Sequence, residues 1–353
     1  MSMSGSRGAL FPQLLNSFAR VRGQRPDFWS TAAETWALTP NEQRTFPPAT
    51  FLPGQLDRIE ETVFGDMEAT FHALGTCTSH IVGSTIAARF RDVLLYDGVL
   101  YKGSAAFHLA RRKRHFPALR RPPRISSAAL YDSWIGLRYF GNWLMDDCET
   151  YRLAETIAPP VTIRLETSGH RKDYEDRLSI APLRTQFAHF DELVLFQDLA
   201  NNTGKIARAA DRRKRLLAGM VAPEAHSGVF LMRGRTGDPR VLMNEERLAE
   251  RLAARHGIRI LHPEEHSVES LVSACAGARV LIGVEGSQLT HALTVMPPGG
   301  TMLALFPPDR VTAAMKLMTD RLGLNFALVI GKGTAGGFEI DPAEVESTLD
   351  LLP

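Results

Sequence analysis

Residues 279–300 read RVLIGVEGSQLTHALTVMPPGG. Val280, Leu281, Ile282 and Gly283 form an apolar run without alternation, the pattern of a strand covered on both faces in a parallel sheet. The turn Gly283-Val284-Glu285-Gly286-Ser287 follows. Gln288 to Met296 then has room for about two turns of helix before Pro297, Pro298, Gly299 and Gly300 stop it. A second strand over 301–306 follows at once, so the stretch predicts a β-α-β unit. Its two glycines let a ligand approach the backbone, and the N–H groups opening the new helix suit an anion, most often a phosphate. A tight turn without a ligand is the alternative on the glycines alone.

Outward from this unit the chain keeps alternating. Towards the C-terminus the spacing predicts a helix over 313–322, a strand over 325–329, a Gly-rich loop and a last helix over 342–351. Towards the N-terminus it predicts a helix over 268–276, strands over 258–261 and 229–232, and a helix over 244–256. Before Ala222-Pro223-Glu224 come a helix over 205–220, strands over 192–197 and 161–166, and a short helix over 172–178. Strands alternating with helices point to parallel, Rossmann-like sheets. Residues 1–65 read as an irregular lead-in with short helices over 13–20 and 56–64. Strand signals then gather over 69–76, 80–81, 91–95 and 99–101, and the Asp97-Gly98 pair between the last two marks a hairpin. The expected organisation is two α/β domains, 1–221 and 222–353, with a small β-rich part at the N-terminus.

At 353 residues the chain is long enough for two cores, and its 44% hydrophobic and 23% charged content belongs to a soluble globular protein. A net charge of +2 gives no reason to expect a nucleic-acid partner. Cys77, Cys148 and Cys275 fit neither a disulfide framework nor a zinc spacing, which suits a reducing compartment. No signal peptide and no span of bilayer length is legible, so a cytoplasmic protein is expected. The one dense basic segment, residues 111–124 (RRKRHFPALRRPPR, from Arg111 to Arg124), reads as a solvated loop. Its alternative is a peripheral contact with an anionic membrane face or a lipid-linked substrate, at about 1 kcal/mol per basic residue.

Two groups of residues carry chemistry. Arg233-Gly234-Arg235 follows the strand over 229–232, at the carboxyl edge where open α/β sheets bind ligands. With Arg240 these arginines suit a phosphate, held by bidentate charge-assisted bonds. Asn244 opens the next helix, as an N-cap or as a ligand-binding amide. In the other group Asn142, Asp146 and Glu149 stand at i, i+4 and i+7 of an apolar, aromatic helix, so they share one stripe. A solvent-facing stripe is the alternative there. Gly283-x-x-Gly286 is not the dinucleotide fingerprint, and Asn202-Thr203-Gly204-Lys205 is not a P-loop. No metal-ligand spacing occurs, although Asp146-Asp147 would accept a loosely held Mg²⁺ or Mn²⁺.

The order of these elements resembles the family 61 glycosyltransferases, the capsular-polysaccharide and O-glycan type. The elements are Arg233, Arg240 to Glu245, Pro263-Glu264 with Ser267-Val268, Ile282-Gly283 to His291, and Pro297-Pro298-Gly299, preceded by Asn142-Trp143-Leu144-Met145-Asp146. Asn142 stands where the family commonly has His, Glu285 where many members have His, and Ser270-Leu271 replaces a frequent Glu-Gln. The resemblance implies a GT-B-like fold, two Rossmann-like domains facing a cleft, with the last helix packing back on the first domain. It implies an inverting transfer from a nucleotide-sugar donor to a saccharide or lipid-linked acceptor in surface polysaccharide synthesis, without a required cofactor. Donor-binding candidates are Arg233, Arg240, Asn244, Gly283, Gly286, Ser287, Gln288 and His291. Inversion needs one general base. Asp146 ranks first and Glu285 second, with Asn142 and Glu149 on the acceptor side. A nucleotide-sugar-binding protein without turnover is the alternative that Asn142 favours, and the missing fingerprint disfavours a nicotinamide oxidoreductase.

Overall fold

The computed structural model describes residues 10–23, 26–76, 78–113, 121–234 and 238–353. The chain divides into two compact units: residues 1–40 with 84–200, and residues 41–83 with 201–353.

The first unit is built on one eight-stranded sheet. Its long central strands, Thr85–Tyr96 and Phe187–Gln197, pair antiparallel. On one side Thr85–Tyr96 continues antiparallel into Val99–Lys102 and Ala105–His108, and it also pairs with Glu34–Thr39. On the other side Phe187–Gln197 continues parallel into Arg124–Leu130, Pro160–Thr162 and Leu183–Arg184. The sheet is therefore mixed rather than wholly parallel. Two-residue connections such as Asp97-Gly98 can join only antiparallel neighbours. Both residues of that turn have positive φ, 49° and 77°, as a type I′ hairpin requires. Of the β-rich region expected as a separate part, the hairpin strands at 91–95 and 99–101 belong to this sheet, whereas the signal at 80–81 lies in Thr78–Val82, which pairs with Glu42–Phe46 in a sheet of two strands. Phe28, Phe90, Leu95, Leu130, Phe190 and Leu193 lie in its buried core.

The second unit holds a parallel sheet of five strands: β1 (His226–Leu231), β2 (Ile258–Leu261), β3 (Ala278–Val284), β4 (Thr301–Phe306) and β5 (Asn325–Ile330). All four pairings are parallel, in the order β2-β1-β3-β4-β5. All six residues of β4 are buried, as both faces of the sheet are covered. The strand order reverses between β1 and β3, which creates the crevice where open α/β sheets bind ligands. The core joins Phe230, Ile282, Leu303 and Val329 of the sheet to Leu248 of helix Glu245–His256 and Val345 of helix Pro342–Leu349. The last helix thus packs within its own unit.

The expected boundary near 221 is displaced. Helix Thr203–Leu217 belongs to the second unit, and so do residues 41–83. Thr50 bridges Ala327 of β5, Thr62 bridges Val311, and Arg58 pairs with Glu344 at 2.6 Å. Two local expectations also fail. Residues 69–76 are not a strand: Met67–Gly75 is a helix, capped by the Asp66 carboxylate, which accepts from Ala69 N. The helix expected over 56–64 is reduced to a single 3₁₀ turn, Leu56–Arg58.

Candidate active site

The carboxyl ends of β1, β3 and β4 bring three arginines together. Arg233 leaves β1 and turns back over the sheet. Its backbone N–H donates to Glu245 Oε1 at 2.8 Å, its Nη1 to Gln288 Oε1 at 2.8 Å, and its Nη2 to the Asp238 carbonyl at 3.0 Å. Gln288 is itself fixed, since its Nε2 donates to the Val284 carbonyl at 2.6 Å. Gly286 makes this approach possible: a Cβ there would fall 2.8 Å from Arg233 Nη1 and would strike the Gln288 amide. Arg240 forms a buried ion pair with Glu285. Arg310 reaches the same Glu285 oxygen at 3.3 Å and Asp238 Oδ2 at 3.4 Å.

The cluster carries excess positive charge. Three guanidinium groups face one buried carboxylate, Glu285, and one half-exposed carboxylate, Asp238. Burial pushes Glu245 up to about 7, so near neutral pH it supplies only part of a negative charge. Burial, followed by the neighbouring charge of Arg240, lowers Arg233 to about 10, still protonated at neutral pH. An anion placed on Arg233 would offset the repulsion from Arg240. An excess of fixed positive charge in a partly desolvated crevice suits a diphosphate.

The other expected donor residues separate into two groups. Gln288 and Gly286 hold and admit Arg233, as above, and Ser287 is half-buried at the same turn. The helix expected from Gln288 to Met296 is shorter, a 3₁₀ turn Ser287–Leu289 and one α-turn Thr290–Leu293, so anion attraction rests on the arginines rather than on a helix dipole. His291 is buried within that α-turn. Gly283 serves the sheet, because a Cβ there would lie 2.7 Å from the Leu231 carbonyl of β1. Asn244 makes no side-chain cap. Its amide instead donates to the Ile340 carbonyl at 2.8 Å and accepts from Ile340 N at 3.3 Å, tying the start of the helix to residue 340. Arg235 lies outside the described residues. Arg310 is the residue that sequence reasoning missed. Its signal was the same as that of Arg233, a basic residue soon after a buried strand.

In the first unit the helix carrying Asn142 is not regular. Phe140–Asn142 is α-helical, Trp143–Asp147 is a π-helical turn, and Cys148–Ile157 is α-helical again. Such single π-turns are frequent at functional sites. Asn142 Nδ2 donates to Asp146 Oδ2 at 3.0 Å, as the i, i+4 spacing predicts. The solvent-facing alternative does not hold, since Asp146, Asp147 and Glu149 are 4%, 1% and 1% exposed. The wider turn also breaks the register that would have continued the stripe to Glu149. Asp146 and Asp147 both line a cavity of about 490 Å³ with Tyr131, Asp132, Trp134 and Asp198. Asp147 Oδ1 accepts from Ser133 Oγ at 2.6 Å, while its Oδ2 is buried without a hydrogen-bond partner. Burial raises Asp147 well above the usual carboxylate range and Asp132 to about 6.

Among the described residues no group of three or more His, Cys, Asp or Glu side chains is arranged to hold a metal ion. No helix among them is long and apolar enough to cross a membrane. Residues 114–120 of the basic segment lie outside the described residues.

No curated protein sequence matches the chain. One solved structure that is similar in part is glucose dehydrogenase from Haloferax mediterranei, at 11% identity and a TM-score of 0.19. That match covers 53% of this chain and 64% of the dehydrogenase. The pattern of one family, Glycosyltransferase 61, matches residues 47–303. That match takes in the π-helical turn, Arg233, Arg240 and the Gly286 turn, and it spans well over half of the chain. The chain belongs to glycosyltransferase family 61.

Proposed function

We propose that the protein transfers a sugar, with inversion, from a nucleotide-sugar donor to a saccharide or lipid-linked acceptor in surface polysaccharide synthesis. The observation that carries this reading is the cluster of Arg233, Arg240 and Arg310 at the switch point of the parallel sheet. In such a transfer the acceptor oxygen forms a bond to the anomeric carbon as the bond from that carbon to the β-phosphate oxygen breaks. The leaving nucleoside diphosphate gains negative charge, which preorganised arginines stabilise without a metal. Asp146 takes the acceptor proton, and the Asn142 amide orients its carboxylate. Asn142 cannot itself act as the base. Glu285 is the counter-ion that holds Arg240 and Arg310 in place, a role that its two ion pairs favour over proton abstraction.

A donor-binding protein without turnover is the second reading, favoured by Asn142 where the family commonly has His. Calorimetric titration with nucleoside diphosphates, alongside product formation from nucleotide sugars, separates the two. Arg233→Ala should weaken diphosphate binding by about 1.5–3 kcal/mol, the worth of a charge-assisted bond. That is roughly a 10- to 150-fold rise in Kd. Unchanged affinity would remove Arg233 from the donor site. Tight binding without transfer or hydrolysis would support the second reading.

A further inference from the structure

Helix Leu10–Val21, LFPQLLNSFARV, belongs to the first unit, and its faces are the reverse of the usual order. At about 100° per residue Leu14, Phe18 and Val21 fall on one face of the helix, and Gln13 and Asn16 on the other side. The polar side is the one turned to the protein. Gln13 and Asn16 are buried, and Asn16 Nδ2 donates to the Ser104 carbonyl at 2.7 Å. The apolar face is left outside: Leu14 is 54% exposed, Phe18 57% and Val21 87%. A helix placed only to complete a core would bury Leu and Phe and expose Gln and Asn. Large apolar groups standing in line on the outside mark an interaction surface.

The charge beside this stripe says what covers it. The helix contains no acidic residue. Arg22, one residue past its end, sets its guanidinium 4.2 Å from the centre of the Phe18 ring. A basic side chain laid along an apolar group, with its charged head at the rim, suits the boundary between lipid and water. A second basic group is tied to the same helix. Arg112 Nη2 donates to Gln13 Oε1 at 3.4 Å, and its guanidinium lies 5.2 Å from the centre of the Tyr96 ring. That anchor sets its neighbours Arg111 and Lys113, both exposed, beside the helix. The nearby Asp97 carboxylate is buried and accepts from Lys113 N at 2.7 Å. A second copy of the chain seated on this stripe would bring Arg22, Arg111 and Lys113 against their own kind, which costs association. A surface with anionic heads over an apolar interior complements both the stripe and its border.

We propose that helix Leu10–Val21 docks the protein on an anionic lipid bilayer, with Leu14, Phe18 and Val21 entering the acyl boundary and Arg22, Arg111 and Lys113 meeting the lipid phosphates. The helix lies in the plane of the interface: its 12 residues make about 18 Å, too short for a hydrocarbon core of about 30 Å. A short apolar stripe and a small basic patch each bind weakly, and together they give peripheral, reversible attachment. None of these residues belongs to the arginine cluster of the second unit, so this inference stands apart from the donor reading.

The test is co-sedimentation of the whole chain with two kinds of vesicle, phosphatidylcholine alone and phosphatidylcholine mixed in equal parts with phosphatidylglycerol. The wild type should bind the mixed vesicles about tenfold or more tightly than the neutral ones, and added salt should weaken that binding. Leu14→Ser with Phe18→Ser should lower the affinity for mixed vesicles about tenfold or more, the effect of withdrawing two apolar groups from the acyl boundary, with the melting temperature unchanged. Arg111→Glu with Lys113→Glu should remove the preference for the anionic vesicles. Absence of binding by the wild type overturns the proposal, as does equal binding to both vesicles or binding that survives Leu14→Ser with Phe18→Ser. A clear fall in the melting temperature of that variant overturns it as well, because the stripe would then be packed on its own chain. A wild-type dimer in analytical ultracentrifugation that the same variant converts to monomer, without vesicle binding, assigns the stripe to a second copy and overturns it too.

Discussion

Glu285→Gln distinguishes a structural counter-ion from a general base. The Glu285 carboxylate is 4% exposed and holds Arg240, 9% exposed, together with Arg310. Removing its charge leaves two guanidinium groups in a partly desolvated crevice without their main partner. Breaking a buried pair from one side costs about 3–5 kcal/mol, because the remaining charge stays buried. The lower end applies here, since Gln keeps one acceptor oxygen and Arg310 keeps Asp238. The second unit comprises residues 41–83 and 201–353. For a unit of that size, about 3 kcal/mol corresponds to a fall in Tm of roughly 6–12 °C. Differential scanning calorimetry reads this directly. Pyrophosphate should restore more of the loss in the variant than it adds to the wild type, because an anion replaces the missing charge and stabilises by mass action. An unchanged Tm with abolished transfer would refute the structural role and make Glu285 the chemically active carboxylate.

Other outcomes follow from the same geometry. Gly286→Ala should leave Tm nearly unchanged, because the added Cβ meets only the tips of two flexible side chains, yet it should weaken diphosphate binding by displacing Arg233; calorimetric titration of the variant measures this. Asp146→Asn should keep donor affinity while lowering turnover about a hundredfold or more, the scale of a lost general base; near-normal turnover would exclude Asp146. The third outcome concerns Asp132, which burial holds at about 6 against hydrogen bonds from Thr162 Oγ1 and Ile163 N. A raised carboxyl favours the folded state below its ordinary value near 3.8, and that contribution is lost as pH rises through about 6. The urea midpoint should therefore fall between pH 4 and 6 more in the wild type than in Asp132→Asn.

The second unit was legible in its strands and helices because its β-strands are continuous apolar runs bounded by clear stops. The strands over 258–261 and 301–306 match their expected limits. The hairpin at Asp97-Gly98 was equally plain, since only a few residue pairs take two positive φ values in a row. Strands such as Arg124–Leu130, RISSAAL, were missed because their polar residues hide the pattern. The strand expected over 69–76 is the helix Met67–Gly75, whose N-terminus the Asp66 carboxylate caps. At the site, Arg233 was readable from its place after a strand and the Asn142–Asp146 pair from its spacing. The π-turn was not readable, because nothing in WLMDD distinguishes a five-residue turn from an α-helical one. The ion pairs of Glu285 depend on Arg240 and Arg310, which sit 45 and 25 residues away in sequence, and no local pattern links them.

The interrupted course of the second unit sets an order for its biosynthesis. Thr50 finds its partner only at Ala327, almost 280 residues later. At about 5–20 residues per second, synthesis leaves residues 41–83 waiting roughly 14–55 s for β5. During that interval strand Glu42–Phe46 can pair with Thr78–Val82, but Thr50 and Arg58 lack their partners Ala327 and Glu344, and Thr62 gains Val311 only shortly before β5 is made. The flanking pieces, 1–40 and 84–200, can meet and close around this interval first. A fragment starting at residue 201 would lack the segment that covers β5 and pairs with Glu344, and it should misfold or aggregate where the intact chain does not. Supplying residues 41–83 in trans, or joining them by a short linker to residue 201, should recover the folded unit.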